Sequence, residues 1–237
     1  MQTTRGLKPK HPPKGVTLLY EDADIIVVDK PCGLLSMGTE RDKARTVHSI
    51  LNDYVRKGNP KSRNRAYIVH RLDRDTSGIL LFAKSEPAKL FLQSDWDNTT
   101  KIYLAVVSGR LSPPAGTITS YLAENAALNV YSTADPAKGK LSRTDYALVK
   151  EYKGLSLVQI RLLTGRKHQI RVHFAEKGHP VVGDRKYGRG QAAAANLALH
   201  AWSITFTHPV SGARLHFETS IPARLTQLVG PFVPLAV

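Results

Sequence analysis

Apolar and polar positions along this chain alternate far more often than they repeat at helical spacing. VTLLYEDADIIVVDKP predicts two short strands joined by a turn at residues 21–24. AYIVH, ILLFAKS, KIYLAVVSG, GTITSYLA, SRTDYALVKEY and LSLVQIRLL each have strand length and strand composition. ALHAWSITFTHP and ARLHFETS read as closing strands. Three segments have helical spacing instead. TVHSILNDYVRKG carries apolar residues at Val47, Ile50, Leu51, Tyr54 and Val55, with Thr46 as cap and Gly58 as stop. EPAKLFLQSDW is opened by Ser85, with Pro87 in its first turn. TGRKHQIRVHFAEKG spaces Ile170 and Phe174 by four, between Thr164 and Gly178.

Strands therefore dominate, and helices come at irregular intervals without a strict βαβ alternation. The expected fold is α+β, with a mixed, largely antiparallel central sheet and flanking helices and loops. PCGLLSMGTERDKA, NPKSRNR and RGQAAAANLA read as loops. There is no internal repeat and no evident mid-chain linker. The expected organisation is a basic, proline-rich tail at 1–15, a single domain at 16–225 and a C-terminal tail at 226–237.

Charge changes this picture more than composition does. The chain has 237 residues, with 34 Lys and Arg against 19 Asp and Glu, for a formal net charge of +15. A surplus of that size repels itself in a folded molecule and points to a polyanionic partner, nucleic acid first. The apolar runs are far too short to span a bilayer, and the basic start lacks the apolar core of a secretion signal. A cytoplasmic protein with no membrane association is expected. The single cysteine, Cys32, excludes an intramolecular disulfide and reads best as a small apolar residue.

The densest chemistry is HRLDRDTSG at 70–78, set between two apolar runs. A turn explains Asp75, Thr76, Ser77 and Gly78, whose side chains or free dihedral serve the backbone. It does not explain Arg71 and Asp73. Asp73 is a candidate nucleophile or general base, since carboxylates attack sugar carbons in glycosyl chemistry. It needs a cation to keep it ionised and aimed. GRKHQIRVH supplies cations at Arg166, Lys167, His168 and Arg171. A helix there would set Lys167 and Arg171 one turn apart, although on its own the segment reads as a basic, solvent-facing helix surface. His168 and His173, five apart, would diverge by about 140° on a helix, so no metal is expected. Tyr103, alone, reads as a half-buried core tyrosine.

Together these segments resemble the RluA-type RNA pseudouridine synthases. HRLDRDTSGILLFAKS resembles their catalytic signature, KIYLAVVSG their tyrosine motif, and RLLTGRKHQIRVHFAEKGHPVVGDRKYG their third motif. DIIVVDKPCGLLS and LALHAWSITFTHPVSG also fit, and the order matches from about residue 16 to about residue 222. The resemblance implies the pseudouridine synthase catalytic fold, in the short form without an N-terminal S4-like RNA-binding domain. It implies an isomerase that breaks the bond from ribose C1′ to uracil N1, turns the base and rejoins it through C5, with no cofactor or metal. By the same resemblance Asp73 is the nucleophile, Arg171 its basic partner and Tyr103 the tyrosine packed on the base. Arg71 is implicated in flipping the uridine, with His70, Arg166, Lys167 and His168 as further RNA-contacting residues. The implied partner is RNA, ribosomal or transfer, with no obligatory protein partner and a monomeric enzyme. A base-releasing RNA glycosylase and a non-catalytic RNA-binding or RNA-folding protein are the alternatives.

Overall fold

The computed structural model describes residues 11–38, 45–188 and 196–236. The first ten residues of the expected basic tail, the charged part of the loop after Cys32 and most of RGQAAAANLA lie outside the described residues. The chain forms two compact units, residues 1–99 with 201–219, and residues 100–200 with 220–237.

In the first unit, β1 (Thr17–Glu21) pairs antiparallel with β2 (Ile25–Lys30), and β2 pairs antiparallel with β4 (Ser77–Ala83). The two-residue β3 (Tyr67–Ile68) also lies antiparallel to β4, Tyr67 opposite Ala83. The strand β10 (Leu199–Thr207) follows β4 in the sheet order and pairs antiparallel with β11 (Arg214–Glu218). The alternation read from the sequence has a direct outcome here. Ile25, Val27, Ile79, Leu81, Ile204 and Phe206 point to one face and form a core with Ala88 and Leu92 of α2 (Glu86–Ser94). β2 and most of β4 are buried on both faces, which explains their unbroken apolar runs.

Both helices of this unit begin where their capping residues predict. α1 (Val47–Arg56) has Thr46 as N-cap in a capping box with Ser49, and Ser85 caps α2 by accepting from the Ala88 amide. α1 ends on Lys57, which takes the left-handed conformation at φ 50° ahead of Gly58. Trp96 lies outside α2, in a short 3₁₀ turn at Trp96–Asn98.

The second unit carries the antiparallel order β5–β9–β8–β6–β7. These strands are β5 (Thr100–Ser108), β6 (Ala115–Glu124), β7 (Val130–Thr133), β8 (Lys140–Tyr152) and β9 (Leu155–Leu162). The four-residue β7 was not evident in the sequence, because VYST is too short to show alternation. α3 (Gln169–Glu176) is shorter than its flanking signals suggested, and six consecutive residues from Gln169 to Phe174 are buried. α4 (Ala223–Val229) crosses the boundary drawn at 225; only Leu225 and Val229 are buried, and no side chain caps it. The sheet is mixed and largely antiparallel, as expected; a parallel bridge joins Leu35 and Thr46. Among the described residues no helix is long and apolar enough to cross a membrane.

Candidate active site

His70, Arg71 and Asp73 lie on one loop of the first unit, entering β4. Arg71 is exposed, Asp73 half-buried, and Leu72 between them is buried. The loop closes on a turn in which the Thr76 amide donates to the Asp73 carbonyl (3.2 Å). Gly78 ends it at φ 113°, where a Cβ would stand 2.2 Å from the Ala201 carbonyl oxygen.

A second loop, residues 31–36, braces the first from behind. The Gly33 amide donates to the Arg74 carbonyl (2.9 Å), and Arg74 Nε donates back to the Gly33 carbonyl (3.2 Å). Ser36 donates to the Leu72 carbonyl (2.7 Å) and accepts from the Leu72 amide (3.0 Å). The two residues flanking Asp73 are thus held by their backbone, which fixes the main chain from which its side chain projects.

Lys30 is the keystone of this arrangement, and the sequence did not single it out. Its side chain is fully buried, and Nζ donates to the carbonyls of Pro31 (3.0 Å), Leu34 (2.8 Å) and Arg74 (3.0 Å). Burial lowers its pKa to about 8, against the opposing pull of Cys32, Asp75, Asp73 and Asp29. The signal was present in the run IIVVDKP, where a lysine ends an apolar strand. Cys32 corrects the expectation of a small apolar residue. It is half-exposed, and Sγ donates to the Asp75 carbonyl (3.1 Å).

His70 has a place in the fold. Its Nε2 accepts from the Leu81 amide (3.0 Å), and its ring packs on Trp96 at 4.6 Å between centroids.

Tyr103, Arg166, Lys167, His168 and Arg171 belong to the second unit. Tyr103 sits in β5 opposite Ile160 of β9 and is buried. The basic cluster departs from the expected surface helix. Arg166 and Lys167 precede α3, and His168 is its N-cap with φ 53°, so Lys167 and Arg171 are not on one helical turn. Lys167 pairs with Glu124, and Arg166 Nε donates to the Leu141 carbonyl (3.2 Å). His168 Nδ1 shares a hydrogen bond with the Tyr187 hydroxyl (2.7 Å). The helix is buried because it packs on β6, β7 and β8.

Arg171 is itself buried and forms a two-point ion pair with Asp184, Nε to Oδ2 at 2.8 Å and Nη2 to Oδ1 at 2.9 Å. Burial acts to raise the Asp184 carboxyl. The Arg171 hydrogen bond and charge, with the amides of Tyr187 and Lys186, outweigh it and hold the pKa below the ordinary range. The Tyr187 ring lies 5.1 Å from the Arg171 guanidinium carbon, facing the cation. Asp184 was missed in the sequence, since a lone aspartate in a glycine-flanked loop reads as a turn residue.

Asp22, Asp24 and His208 come together in the first unit at metal-ligand spacing. Asp22 Oδ1 already accepts from the amides of Asp24 and Ile25, and Oδ2 accepts from the Tyr20 hydroxyl. His208 Nδ1 accepts from the Val210 and Ser211 amides, so Nε2 carries the proton it donates to Asp22 Oδ2 (3.0 Å). This trio serves the turn between β1 and β2, and the histidine has no lone pair left for an ion.

Comparison with known proteins bears on the whole site. Residues 24–176 match the family model described as RNA pseudouridylate synthase. The chain is 34% identical to ribosomal large subunit pseudouridine synthase D of Nitrosomonas europaea over 224 residues, 90% of this chain and 64% of that protein. It is 32% identical to the uncharacterized RNA pseudouridine synthase YhcT of Bacillus subtilis over 89% of this chain and 70% of that protein. In fold it is similar to human RNA pseudouridylate synthase domain containing 1, with TM-score 0.74 at 24% identity, covering 98% of this chain and 94% of that one. Human RNA pseudouridylate synthase domain containing 4 gives TM-score 0.75 at 20% identity, covering 89% and 90%. With a braced aspartate loop inside the matched region, the chain belongs to the RNA pseudouridylate synthase family, in its RluA-type branch.

Proposed function

We propose that this protein isomerises uridine to pseudouridine in ribosomal or transfer RNA, with Asp73 as the nucleophile. The supporting observation is the loop at 70–76. It presents a half-buried carboxylate between two backbone segments that Lys30 and Ser36 hold in place. A preorganised carboxylate can add to ribose C1′ or to uracil C6. Either route breaks the C1′–N1 bond, turns the base, forms the C1′–C5 bond and releases the C5 proton.

The target atom is shielded in stacked RNA, so the uridine leaves the stack at a cost of about a few kcal/mol. Arg71, exposed beside Asp73, has the planar cation suited to filling the vacated place and contacting phosphate. Tyr103 supplies an aromatic surface for the extruded base. Arg171 is the basic residue that the family resemblance assigns to the reaction, and Asp184 is its positioning partner. The reaction as proposed consumes no cofactor.

The test uses RNA from a strain lacking this protein, treated with purified enzyme and mapped by carbodiimide labelling and reverse transcription. Wild type should restore one or a few stops, and Asp73→Asn should restore none while still binding RNA. Stops restored by Asp73→Asn would remove Asp73 from the chemistry. Free uracil among the products would identify a glycosylase instead.

A further inference from the structure

At the far end of β4 from the Asp73 loop lies a second surface with its own electrostatic character. The chain between α1 and β3 carries four Lys and Arg and no Asp or Glu over residues 57–66. Lys57, Lys61, Arg63 and Arg65 are exposed. Among the described residues none of the four forms an ion pair with a carboxylate.

This cationic loop is ordered by its own hydrogen bonds. The Asn59 amide donates to the Arg56 carbonyl (2.9 Å), and the Ser62 amide to the Asn59 carbonyl (3.1 Å). Asn59 and Ser62 side chains accept from the Lys61 (3.0 Å) and Asn64 (3.2 Å) amides. Asn64 Nδ2 donates to the Val55 carbonyl at the end of α1 (3.3 Å), and the Ala66 amide donates to Asn52 (3.2 Å). Four like charges are therefore held together, and holding them so costs free energy unless an anion is shared among them.

The loop borders a cleft of about 880 Å³ that also takes in Lys57, Tyr54 and Lys84. Its carboxylate Glu21 is already satisfied by Lys84 Nζ (2.9 Å) and the Tyr54 hydroxyl (2.5 Å). Asp53 is the other acid lining the cleft.

Register fixes where this surface stands. Lys30, which holds the Asp73 loop, lies opposite Gly78, whereas Tyr67, two residues beyond Arg65, lies opposite Ala83. Six residue steps separate Ser77 from Ala83, roughly 20 Å at about 3.3 Å per residue. A single flipped nucleotide cannot occupy both places.

We infer that Lys57, Lys61, Arg63 and Arg65 form a second RNA contact, a phosphate-binding surface that grips the substrate several nucleotides away from the modified uridine. The inference rests on the reading of this protein as an RNA-acting enzyme. The four cations lie on a segment, residues 57–66, that carries no aromatic residue, so they bind backbone independently of sequence.

The test measures binding to an RNA duplex of about 30 base pairs and arbitrary sequence across a salt series. Each phosphate contact contributes about 0.9 to the slope of log affinity against log salt for a duplex, the value known for B-form DNA. K61Q/R63Q/R65Q should lower that slope by about 2 to 3. Arg65 Nη1 also donates to the Ser62 and Asn64 carbonyls, so K57Q/K61Q/R63Q, which leaves Arg65 in place, should give the same loss. R110Q/K138Q/K153Q removes equal charge from other exposed positions and should lower the slope by less than about 1. Equal losses in all three variants, or no loss in the first two, would overturn the surface. Wild type that binds no RNA would overturn it together with the proposed function. Absence of pseudouridine formation with the slopes as expected would leave the surface standing and remove the chemistry alone.

Discussion

Arg171 and Asp184 meet in two parallel hydrogen bonds, at 2.8 and 2.9 Å, with Asp184 almost wholly out of solvent. Asp184 Oδ1 accepts in addition from the amides of Lys186 (2.9 Å) and Tyr187 (3.0 Å), which anchors the carboxylate to its own loop. The pair fixes the guanidinium before any substrate arrives.

Removing one partner of this pair should cost about 3 to 5 kcal/mol, because a buried charge is left uncompensated. Asp184→Asn and Arg171→Ala should both lower the urea midpoint by an amount consistent with that range. Asp184 has a depressed pKa in the folded state, so its contribution is present above the unfolded carboxylate value and lost as pH falls through the folded one. The stability gap between wild type and Asp184→Asn should therefore narrow in strong acid. A gap independent of pH would remove the ionic part of the explanation.

Lys30 makes the opposite prediction on the basic side. Its pKa is about 8 when folded, against an ordinary 10.5, so the unfolded chain holds the proton more tightly. Stability should rise between about pH 8 and 10.5, by about 3 kcal/mol if this group acts alone. Lys30→Met fills similar volume without the charge and should abolish that rise. It should also slow turnover, since the Arg74 and Leu34 carbonyls lose their donor. Unfolding measured against pH, with activity beside it, checks both.

His173 is buried between Ser120 (3.0 Å) and Thr144 (2.9 Å), and burial lowers its pKa to about 4. The unfolded histidine takes up its proton near pH 6.5, so stability present above that value is lost as pH falls towards 4. His200, also buried and lowered to about 4, adds to the same loss. His173→Gln should flatten the decline between pH 6.5 and 4 in thermal unfolding. An unchanged acid limb would place the loss elsewhere.

Gly78→Ala should be among the most damaging single changes. The added methyl would meet the Ala201 carbonyl oxygen at 2.2 Å, at a φ of 113° that side chains rarely adopt. Little folded protein is expected at growth temperature, and a melting temperature near wild type would contradict the register of β4 at this point.

Tyr103→Phe tests the aromatic apart from its hydroxyl. A folded variant with near-normal turnover would assign Tyr103 to stacking, whereas a folded, inactive one would assign the hydroxyl to the proton transfer from C5.

Most of the architecture is local in origin, and the sequence carries it. Alternation marks the long strands, and Thr46 and Ser85 mark two helix starts, because caps and pleats depend on neighbours along the chain. The HRLDRDTSG loop also stands out, since a turn has no use for Arg71 and Asp73. Tertiary structure decided what distance along the chain conceals. Lys30 reaches a carbonyl 44 residues away, and Arg171 finds Asp184 across the turn that follows α3. The run RKHQIRVH looks like a basic surface by composition, yet packing on three strands buries Arg171 and His173 and leaves the other cations before the helix. Burial converts such groups from solvated charges into paired or neutral ones, and burial is a property of the folded molecule.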